Sequence, residues 1–380
     1  MLMTTPAPLS IAHHFAALVD PRVQRAQQHK LSDILVIALC ATLADCDSWY
    51  EIEDFGNDKI DWLRSFLELP NGIPSHDTFN RVFDALDPQA FQDCFTGWIN
   101  AVCAALAVKG YQIDGKAQRG SADRAKGLNC LQTVSVWANE HSLSLGQVAV
   151  AEDSNEIPAI PQLLRLLELE EALVSIDAIG CQKEIAQTVL DQGGDYLLAV
   201  KDNQPTLYED LRHLLEEAIA KELVGSAYSV YAQEEKGHGR QERRTYLLIT
   251  DLGKLSTRSE WPGLKSVVVV TRERTLAGKE SVEQSYYISS RQAPVEVLAQ
   301  GIREHWGIEN RLHWVLDVAF GEDQSRARVG NAQENLAWLR RVALSLLRQD
   351  KSPGSIKRKR KRAARNNDFL EQLLVSMSEM

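Results

Sequence analysis

Residues 305–317 read His-Trp-Gly-Ile-Glu-Asn-Arg-Leu-His-Trp-Val-Leu-Asp, and the rest of the predicted chain is organised around them. Apolar residues recur at three- and four-residue steps from residue 294 onward, as in a helix that buries one face. These residues are Leu298, Ile302, Trp306, Leu312 and Leu316. Glu309 lies on or beside the predicted buried face, where a carboxylate needs a cation or a hydrogen-bond donor. An arginine ion pair and a functional site are both open interpretations of Glu309.

The composition is that of an ordinary globular protein. The 380 residues are 44% hydrophobic and 25% charged, which is enough for two or three domains. Six cysteines are scattered without a Cys-x-x-Cys pair, which argues against a zinc site and against a disulfide framework. We expect a cytoplasmic protein with no membrane partner, because the sequence shows neither a secretory signal nor an apolar run of membrane-spanning length. The net charge of −10 argues against a nucleic-acid partner unless the positive charges are clustered.

Residues 1–107 are predicted to form an all-helical N-terminal domain. A helix over residues 31–43 is followed, after further helical segments, by a Pro- and Gly-containing turn at residues 70–74 and an amphipathic stretch that begins at Ser75. This order is compatible with a helix-turn-helix that offers His76, Asn80 and Arg81 to DNA. A plain helical hairpin that packs on the next domain remains the other interpretation.

Residues 108–202 and 290–350 are predicted to form a mixed α/β sheet with helices on both faces. A short strand ends in Asp114, two hairpin strands and a helix follow, and a buried strand over residues 172–176 ends in Asp177. Residues 203–289 are predicted to be a helix plus a β-rich insertion, with strands over residues 228–232, 243–250, 266–271 and 282–288. Residues 351–380 contain the basic run Lys-Arg-Lys-Arg-Lys-Arg at 357–362, which predicts a flexible tail that binds phosphates.

Three acids could form one metal site. Asp114 and Asp177 follow predicted strands, and Glu309 comes from a helix that could pack on the same edge of the sheet. Three carboxylates repel one another unless a divalent cation neutralises them, and oxygen ligands favour Mg²⁺ or Mn²⁺. Two such ions suit cleavage of a phosphodiester. Zinc held by both His305 and His313 does not fit, because eight residues of helix separate them by roughly 12 Å.

The sequence resembles the DDE transposases of bacterial insertion sequences, in the branch of the H-repeat-associated proteins. Four runs carry the resemblance: Gly72-Ile73-Pro74-Ser75-His76-Asp77-Thr78-Phe79, Asp114-Gly115-Lys116 with Arg119-Gly120-Ser121, Ile176-Asp177-Ala178 with Gly180 and Gln182, and His305-Trp306-Gly307-Ile308-Glu309-Asn310 with Leu312-His313-Trp314. The resemblance implies an RNase H-like fold and the catalytic and metal-binding triad Asp114, Asp177 and Glu309. It also implies two Mg²⁺ or Mn²⁺ ions, strand cleavage and strand transfer that move an insertion sequence, and a homodimer on terminal and target DNA at the nucleoid.

The sequence departs from related transposases around Glu309. The family's Tyr, Arg and Lys positions are occupied here by Ile302, His305 and Leu316, so the DNA contacts of that Arg and Lys are not transferred. Basic residues chosen by charge and nearness in sequence are expected at DNA instead: Lys116, Arg119, Lys201, Arg303 and Arg311, together with His305 and with Lys357, Arg358, Lys359 and Arg360 of the tail. Two alternatives stay open, a nuclease that stops at hydrolysis and a DNA-binding remnant without catalysis.

Overall fold

The computed structural model describes residues 15–375, apart from 24, 26, 123–128, 152, 221–222, 224, 226, 238–239, 277 and 329. These residues form an α/β fold with a large mixed sheet. The helices are α1 Leu31–Leu43, α2 Trp49–Asp58, α3 Ile60–Leu63, α4 His76–Ala85, α5 Pro88–Ala105, α6 Ala159–Leu164, α7 Lys183–Asp191, α8 Pro205–Ala220, α9 Val295–Ile308, α10 Trp314–Phe320, α11 Ala332–Gln349, α12 Ile356–Arg365 and α13 Asn367–Val375. The strands are β1 Gly110–Gln118, β2 Leu131–Ala138, β3 Leu143–Ala149, β4 Leu173–Ile176, β5 Asp195–Val200, β6 Tyr228–Gly237, β7 Arg240–Ile249, β8 Ser266–Leu276 and β9 Lys279–Ser289.

The chain divides into two compact units. The first contains residues 1–107, 115–152 and 309–380, and the second contains residues 108–114 and 153–308. Strand β1 belongs to both, because the division falls between Asp114 and Gly115. The chain passes between the units again where α9 ends, after Ile308.

The sheet of the second unit has the strand order β1-β4-β5-β9-β8-β7-β6. Its first three strands are parallel, and β9 pairs antiparallel with β5. The segment predicted as a β-rich insertion therefore continues the sheet beyond β5. Its strands are longer than predicted, because the outer halves of β6 to β9 are polar and exposed and give no apolar alternation.

Helix α9 lies on this sheet through an apolar face. Leu298, Ala299 and Ile302 are buried in one cluster with Leu173 of β4 and Leu197 of β5. A Cβ atom added to Gly301 would lie 2.9 Å from Leu173 Cδ2 and 3.1 Å from Leu197 Cδ2. Glycine at this position therefore lets the helix backbone approach the two strands closely.

The first unit packs helices around α11 and the hairpin β2–β3. Helix α1 is buried on almost all sides, as the apolar run over residues 34–41 predicts. Aromatic rings of α4, α5 and α11 contact one another edge to face, as in the Phe95–Trp338 pair. None of the described helices is long and apolar enough to cross a membrane.

The flexible basic tail predicted for residues 351–380 is wrong for the described residues 356–375. These residues form α12 and α13, and the guanidinium of Arg360 is fully buried. Arg360 forms ion pairs with Asp45 at 3.2 Å and Asp47 at 2.7 Å and donates to the carbonyl oxygen of Thr42. A run of like charges can pack when its buried members meet acceptors elsewhere in the chain, as Arg360 does here.

Candidate active site

Asp114 and Asp177 each directly follow one member of a residue pair on two neighbouring parallel strands. Ile113 of β1 pairs with Ile176 of β4, and each aspartate is the next residue of its segment. Neighbouring strands lie about 4.8 Å apart, and residues in register project to the same side of a sheet. The structure therefore brings these two predicted site residues together, and both side chains are half-buried.

The prediction that β1 ends at Asp114 is wrong, since the strand continues to Gln118. Strand β4 does end at Ile176, directly before Asp177. Pairing of β1 with β4 stops at Ile113, but β1 also has β2 as a neighbour. This second neighbour keeps the later residues extended, although Gly115 is a poor strand former.

The turn after Asp177 is fixed by its own glycine and by the chain that follows β5. A Cβ atom on Gly180 would lie 2.2 Å from Ile176 Cγ2, so the turn requires glycine. The Gly180 amide donates to Asp177 Oδ1 at 3.4 Å, and Asn203 Nδ2 donates to the carbonyl oxygen of Ala178 at 2.5 Å. These contacts fix the backbone of the turn that begins at Asp177 and so restrict the position of its carboxylate.

His305 lies beside the strand that ends at Asp177. Its Nδ1 is 3.3 Å from Ser175 Oγ, one helical turn after the close approach at Gly301. Burial lowers the pKa of His305, and the nearby charge of Asp177 opposes that effect. His305 is therefore neutral at pH 7 and has a contact inside the protein, which sequence reasoning missed because Ser175 stands in no motif.

Glu156 is a further acid near Asp177 that sequence reasoning missed. Burial raises the pKa of Glu156, and the negative charge of Asp177 raises it further. Both residues belong to the second unit. Glu156 stands in a loop before α6, outside every motif, so nothing in the sequence pattern marks it.

Glu309 opens a π-helical segment, Glu309–His313, between α9 and α10. Its side chain is exposed, whereas Leu312 and His313 are buried. The prediction that Glu309 lies on or beside a buried face is therefore wrong, because the wider π turn shifts the apolar positions relative to an α-helix. Glu309 belongs to the first unit, and Asp114 and Asp177 belong to the second.

Lys116, which was expected at DNA, is buried inside the first unit. Its Nζ forms an ion pair with Asp317 and another, at 2.7 Å, with Glu322. Only 9% of the residue is exposed. The expectation that Lys116 meets DNA does not fit this position, because its charge is already opposed by two carboxylates.

The Arg119-Gly120-Ser121 motif forms a tight contact with residues 323–325. A Cβ atom on Gly120 would lie 2.3 Å from the carbonyl oxygen of Asp323, so no other residue fits without a backbone shift. The Arg119 amide donates to Asp323 Oδ1 at 3.1 Å, while its side chain is exposed. Packing against residues 323–325 therefore explains the backbone of this motif without any contact with DNA.

The other side chains expected at DNA are of three kinds: exposed, half-buried and buried. Arg81, Arg119, Lys201, Arg311, Lys357 and Arg358 are exposed, and Asn80 and Arg303 are half-buried. Arg303 forms an ion pair with Glu235. Lys359 and Arg360 are buried, and Lys359 pairs with Asp350 at 3.0 Å. DNA contact by these last two residues does not fit the structure.

The Asp114 and Asp177 pair has the chemistry of a partial site for a hard cation. Two carboxylates side by side repel each other, and oxygen ligands suit Mg²⁺ or Mn²⁺. In the part of the chain that the structure describes, no group of three or more His, Cys, Asp or Glu side chains is arranged to hold a metal ion. The pair therefore supplies two ligand groups, and further ligands must come from elsewhere.

Comparison with known proteins gives the family. Residues 12–99 match the DDE_Tnp_1-associated domain, and residues 86–346 match the Transposase DDE domain. The YncI protein of Escherichia coli O157:H7 is 40% identical over 376 residues, which are 98% of this chain and 96% of that protein. The H repeat-associated protein YhhI of E. coli K12 is 37% identical over 96% of this chain and 97% of its own length.

Two other similarities are more limited. The inactive transposase YbfQ of E. coli K12 is 40% identical over 72 residues, which are 19% of this chain and 86% of that protein. Among solved structures, the chain is similar to the piggyBac transposase of a synaptic complex with hairpin DNA, with 10% identity, a TM-score of 0.44, and coverage of 99% of this chain and 83% of the other. On the family matches and the two full-length relatives, the chain belongs to the DDE transposase family and, within it, to the H repeat-associated group.

Proposed function

We propose that this chain cleaves DNA at the ends of an insertion sequence and joins the freed ends to target DNA. The observation that carries the proposal is that Asp114 and Asp177 directly follow Ile113 and Ile176, which pair across the parallel strands β1 and β4. Membership of the DDE transposase family supports it, and the two aspartates supply part of the ligand set that such chemistry needs. An RNase H-like fold is part of the proposal, supported by the hairpin β2–β3 beside β1 and by the parallel strands β1, β4 and β5.

The proposed reaction has two steps at phosphorus. In the first, a water oxygen attacks the phosphodiester at the element's end, and the bond to the 3′ oxygen breaks to leave a 3′-hydroxyl. In the second, that hydroxyl attacks a target phosphodiester, forms a new bond to phosphorus and releases a 3′-hydroxyl of the target. Each step exchanges one phosphorus–oxygen bond for another, so no energy-rich cofactor is needed.

In this proposal Asp114, Asp177 and Glu309 hold the metal ions. Bound Mg²⁺ or Mn²⁺ would stabilise charge on the attacking and leaving oxygens. The protein's own part is to fix the ligands. The pairing of Ile113 with Ile176 sets the backbone positions of Asp114 and Asp177, and contacts of Asn203 and Gly180 fix the turn after Asp177. His305 contacts Ser175, two residues before Asp177 on the same strand, and so supports the position of β4 under α9.

DNA contacts are proposed at exposed cations. Helix α12 has one face of exposed basic residues, namely Lys357, Arg358, Lys361, Arg362 and Arg365. These residues give a locally positive surface that can bind phosphates although the net charge of the chain is −10. Arg81 is exposed on α4, where Arg81 and Asn80 could reach base edges at the element's ends. We also propose that two copies of the chain act together on paired ends. Lys201, Arg119 and Arg311 complete the set of exposed candidates.

The test is magnesium-dependent nicking of duplexes that carry the sequences flanking the coding region. Asp114→Asn and Asp177→Asn should each lower the nicking rate by about 10²-fold or more, because each removes a ligand of the unit that stabilises transition-state charge. Asp191→Asn is the matched control, since Asp191 is exposed at the end of α7 and its amide replacement can still accept from Gln187.

Three outcomes separate the candidate functions. Nicking followed by joined product supports the transposase, and nicking without joined product supports a nuclease. No magnesium-dependent nicking by the wild type supports a DNA-binding remnant. An Asp177→Asn variant that nicks as fast as the Asp191→Asn control contradicts the assignment of Asp177.

A further inference from the structure

The part of β1 that follows Asp114 carries a buried cation. Lys116 stands two residues after Asp114, on the same face of the strand by alternation. Its ammonium group lies between the carboxylates of Asp317 and Glu322. Asp317 is on α10, and Glu322 is in the turn after that helix. One side chain thus joins β1 to the helical segment that begins at Glu309.

The ion pairs continue into the core of the first unit. Glu322 Oε1 accepts from Arg341 Nη1 of α11 at 2.8 Å, and both residues are fully buried. Burial by itself raises the pKa of Glu322, but Arg341 and Lys116 outweigh it and lower that pKa to about 2. Arg341 also donates to Ser135 Oγ of β2 at 3.3 Å. We call Lys116, Asp317, Glu322 and Arg341 the buried ion network.

A buried ion network is poorly explained by stability alone. Removing charges from water is costly, and well-packed apolar residues of similar size often stabilise a core equally well. An ion network instead favours a single arrangement of its side chains, because any other arrangement leaves a buried charge without its partner and so raises the free energy. This network therefore selects one register of the Glu309 segment along β1.

A second contact in the same place has the same effect. Arg328 donates to the carbonyl oxygen of Gly120 at 3.1 Å. Together with the close approach of Gly120 to Asp323, it holds the chain after α10 against the end of β1. The segment after Glu309 is thus attached at two points, to β1 at Lys116 and to the turn after β1 at Gly120.

We propose that Lys116 is a positioning residue, which fixes the segment that begins at Glu309 onto the part of β1 that follows Asp114. The proposal rests on the proposed function, since it assigns Lys116 to the same metal-dependent cleavage. Lys116 itself touches neither DNA nor metal in this role. It acts through Asp317 and Glu322, eight and thirteen residues after Glu309.

The test compares two lysines near the start and the middle of β1. Lys116→Met removes the cation of the network, and Asp317→Asn is a milder second variant at the half-buried edge of the network. Lys109→Met is the control, because Lys109 precedes β1 and makes an exposed ion pair with Glu171 at 3.3 Å. The first readout is hydrogen–deuterium exchange of the full-length protein over residues 309–320. The second is single-turnover nicking of end DNA over a range of Mg²⁺ concentrations.

Faster exchange over residues 309–320 is expected in Lys116→Met and Asp317→Asn but not in Lys109→Met. The nicking rate of the first two variants should fall about 10- to 100-fold, with a higher Mg²⁺ midpoint and unchanged affinity for end DNA. If Lys116→Met does not fold, Asp317→Asn decides. Unchanged exchange in Asp317→Asn overturns the attachment, and faster exchange with a wild-type rate and Mg²⁺ midpoint overturns the positioning role. Wild-type protein that does not nick contradicts the proposed function, and the exchange result then supports or overturns the attachment by itself.

Discussion

Replacing Arg360 by Met should destabilise the first unit far more than replacing Arg358 by Met, although both residues lie on α12. Arg360 is fully buried, and its guanidinium stacks over the ring of Phe320 at 4.1 Å. It donates to the carbonyl oxygens of Thr42 and Ala319 and pairs with Asp45 and Asp47. Met keeps the length and apolar stem of the side chain but leaves these acceptors without their donor.

The expected loss follows from the kind of interaction removed. Asp45 and Asp47 are partly exposed and can be solvated, so the expected loss of about 2–4 kcal/mol comes mainly from the buried carbonyl oxygens left without a donor. A loss of this size lowers the melting temperature of a unit on the order of 10 °C. Arg358 is exposed, and surface substitutions of this kind change the free energy of unfolding by roughly 0.5 kcal/mol or less.

The salt dependence of DNA binding should change in Arg358→Met and not in Arg360→Met. Arg358→Met should make the dependence of log K on log salt shallower by about 0.9 if Arg358 contacts one phosphate. Arg360→Met, measured below its melting temperature, should leave that slope unchanged. The assays are thermal unfolding by circular dichroism and fluorescence anisotropy on a random duplex at several salt concentrations. Equal melting temperatures for the two variants would refute the account of Arg360, and a changed slope for Arg360→Met alone would refute the account of α12.

Two further predictions concern the contacts around β1. Gly120→Ala should lower the free energy of unfolding by about 1–3 kcal/mol in urea titration, because its Cβ would lie 2.3 Å from the backbone oxygen of Asp323; Gly237→Ala, which meets nothing within 4 Å, is the control. Glu322→Gln tests pH dependence: the folded-state pKa of Glu322 is about 2 against an ordinary 4.5, so its contribution to stability is present above pH 4.5 and is lost as the pH falls toward 2. The difference in unfolding free energy between wild type and Glu322→Gln should therefore shrink over that range, and a constant difference would contradict the assignment.

The apolar patterns of the sequence predict the interior elements well. Helix α1 has the predicted bounds, and β4 and β5 match their apolar runs to within a residue, because buried segments must be apolar on every face. Exposed strands were predicted too short. Their outer halves carry charges on both faces, and these pair across strands, as Arg272 and Glu283 do. Such pairing depends on register, which the local sequence does not show.

The candidate site was predicted in part. Asp114 and Asp177 directly follow Ile113 and Ile176, which pair across β1 and β4 and belong to apolar runs that the sequence shows. Their role in catalysis stays a prediction. The expected DNA contacts of Lys116 and Arg360 failed for a common reason, since each cation meets acids that are remote in sequence. Arg360 pairs with Asp47, and Lys116 pairs with Glu322. A charge count identifies cations but cannot tell which of them will find a buried partner.

The π segment at Glu309–His313 affects how related sequences can be aligned. A π turn contains one more residue than an α turn, so it stands where a single residue has been accommodated without breaking the helix. Deleting one residue between Glu309 and Asp317 would restore an α-helix but turn the later side chains by about 100° around its axis. Asp317 would then change its angle relative to Glu309 although both residues are still present. An alignment gap placed in this segment is therefore a change of geometry, and a homologue with such a gap should not be assigned the same partners for its acids.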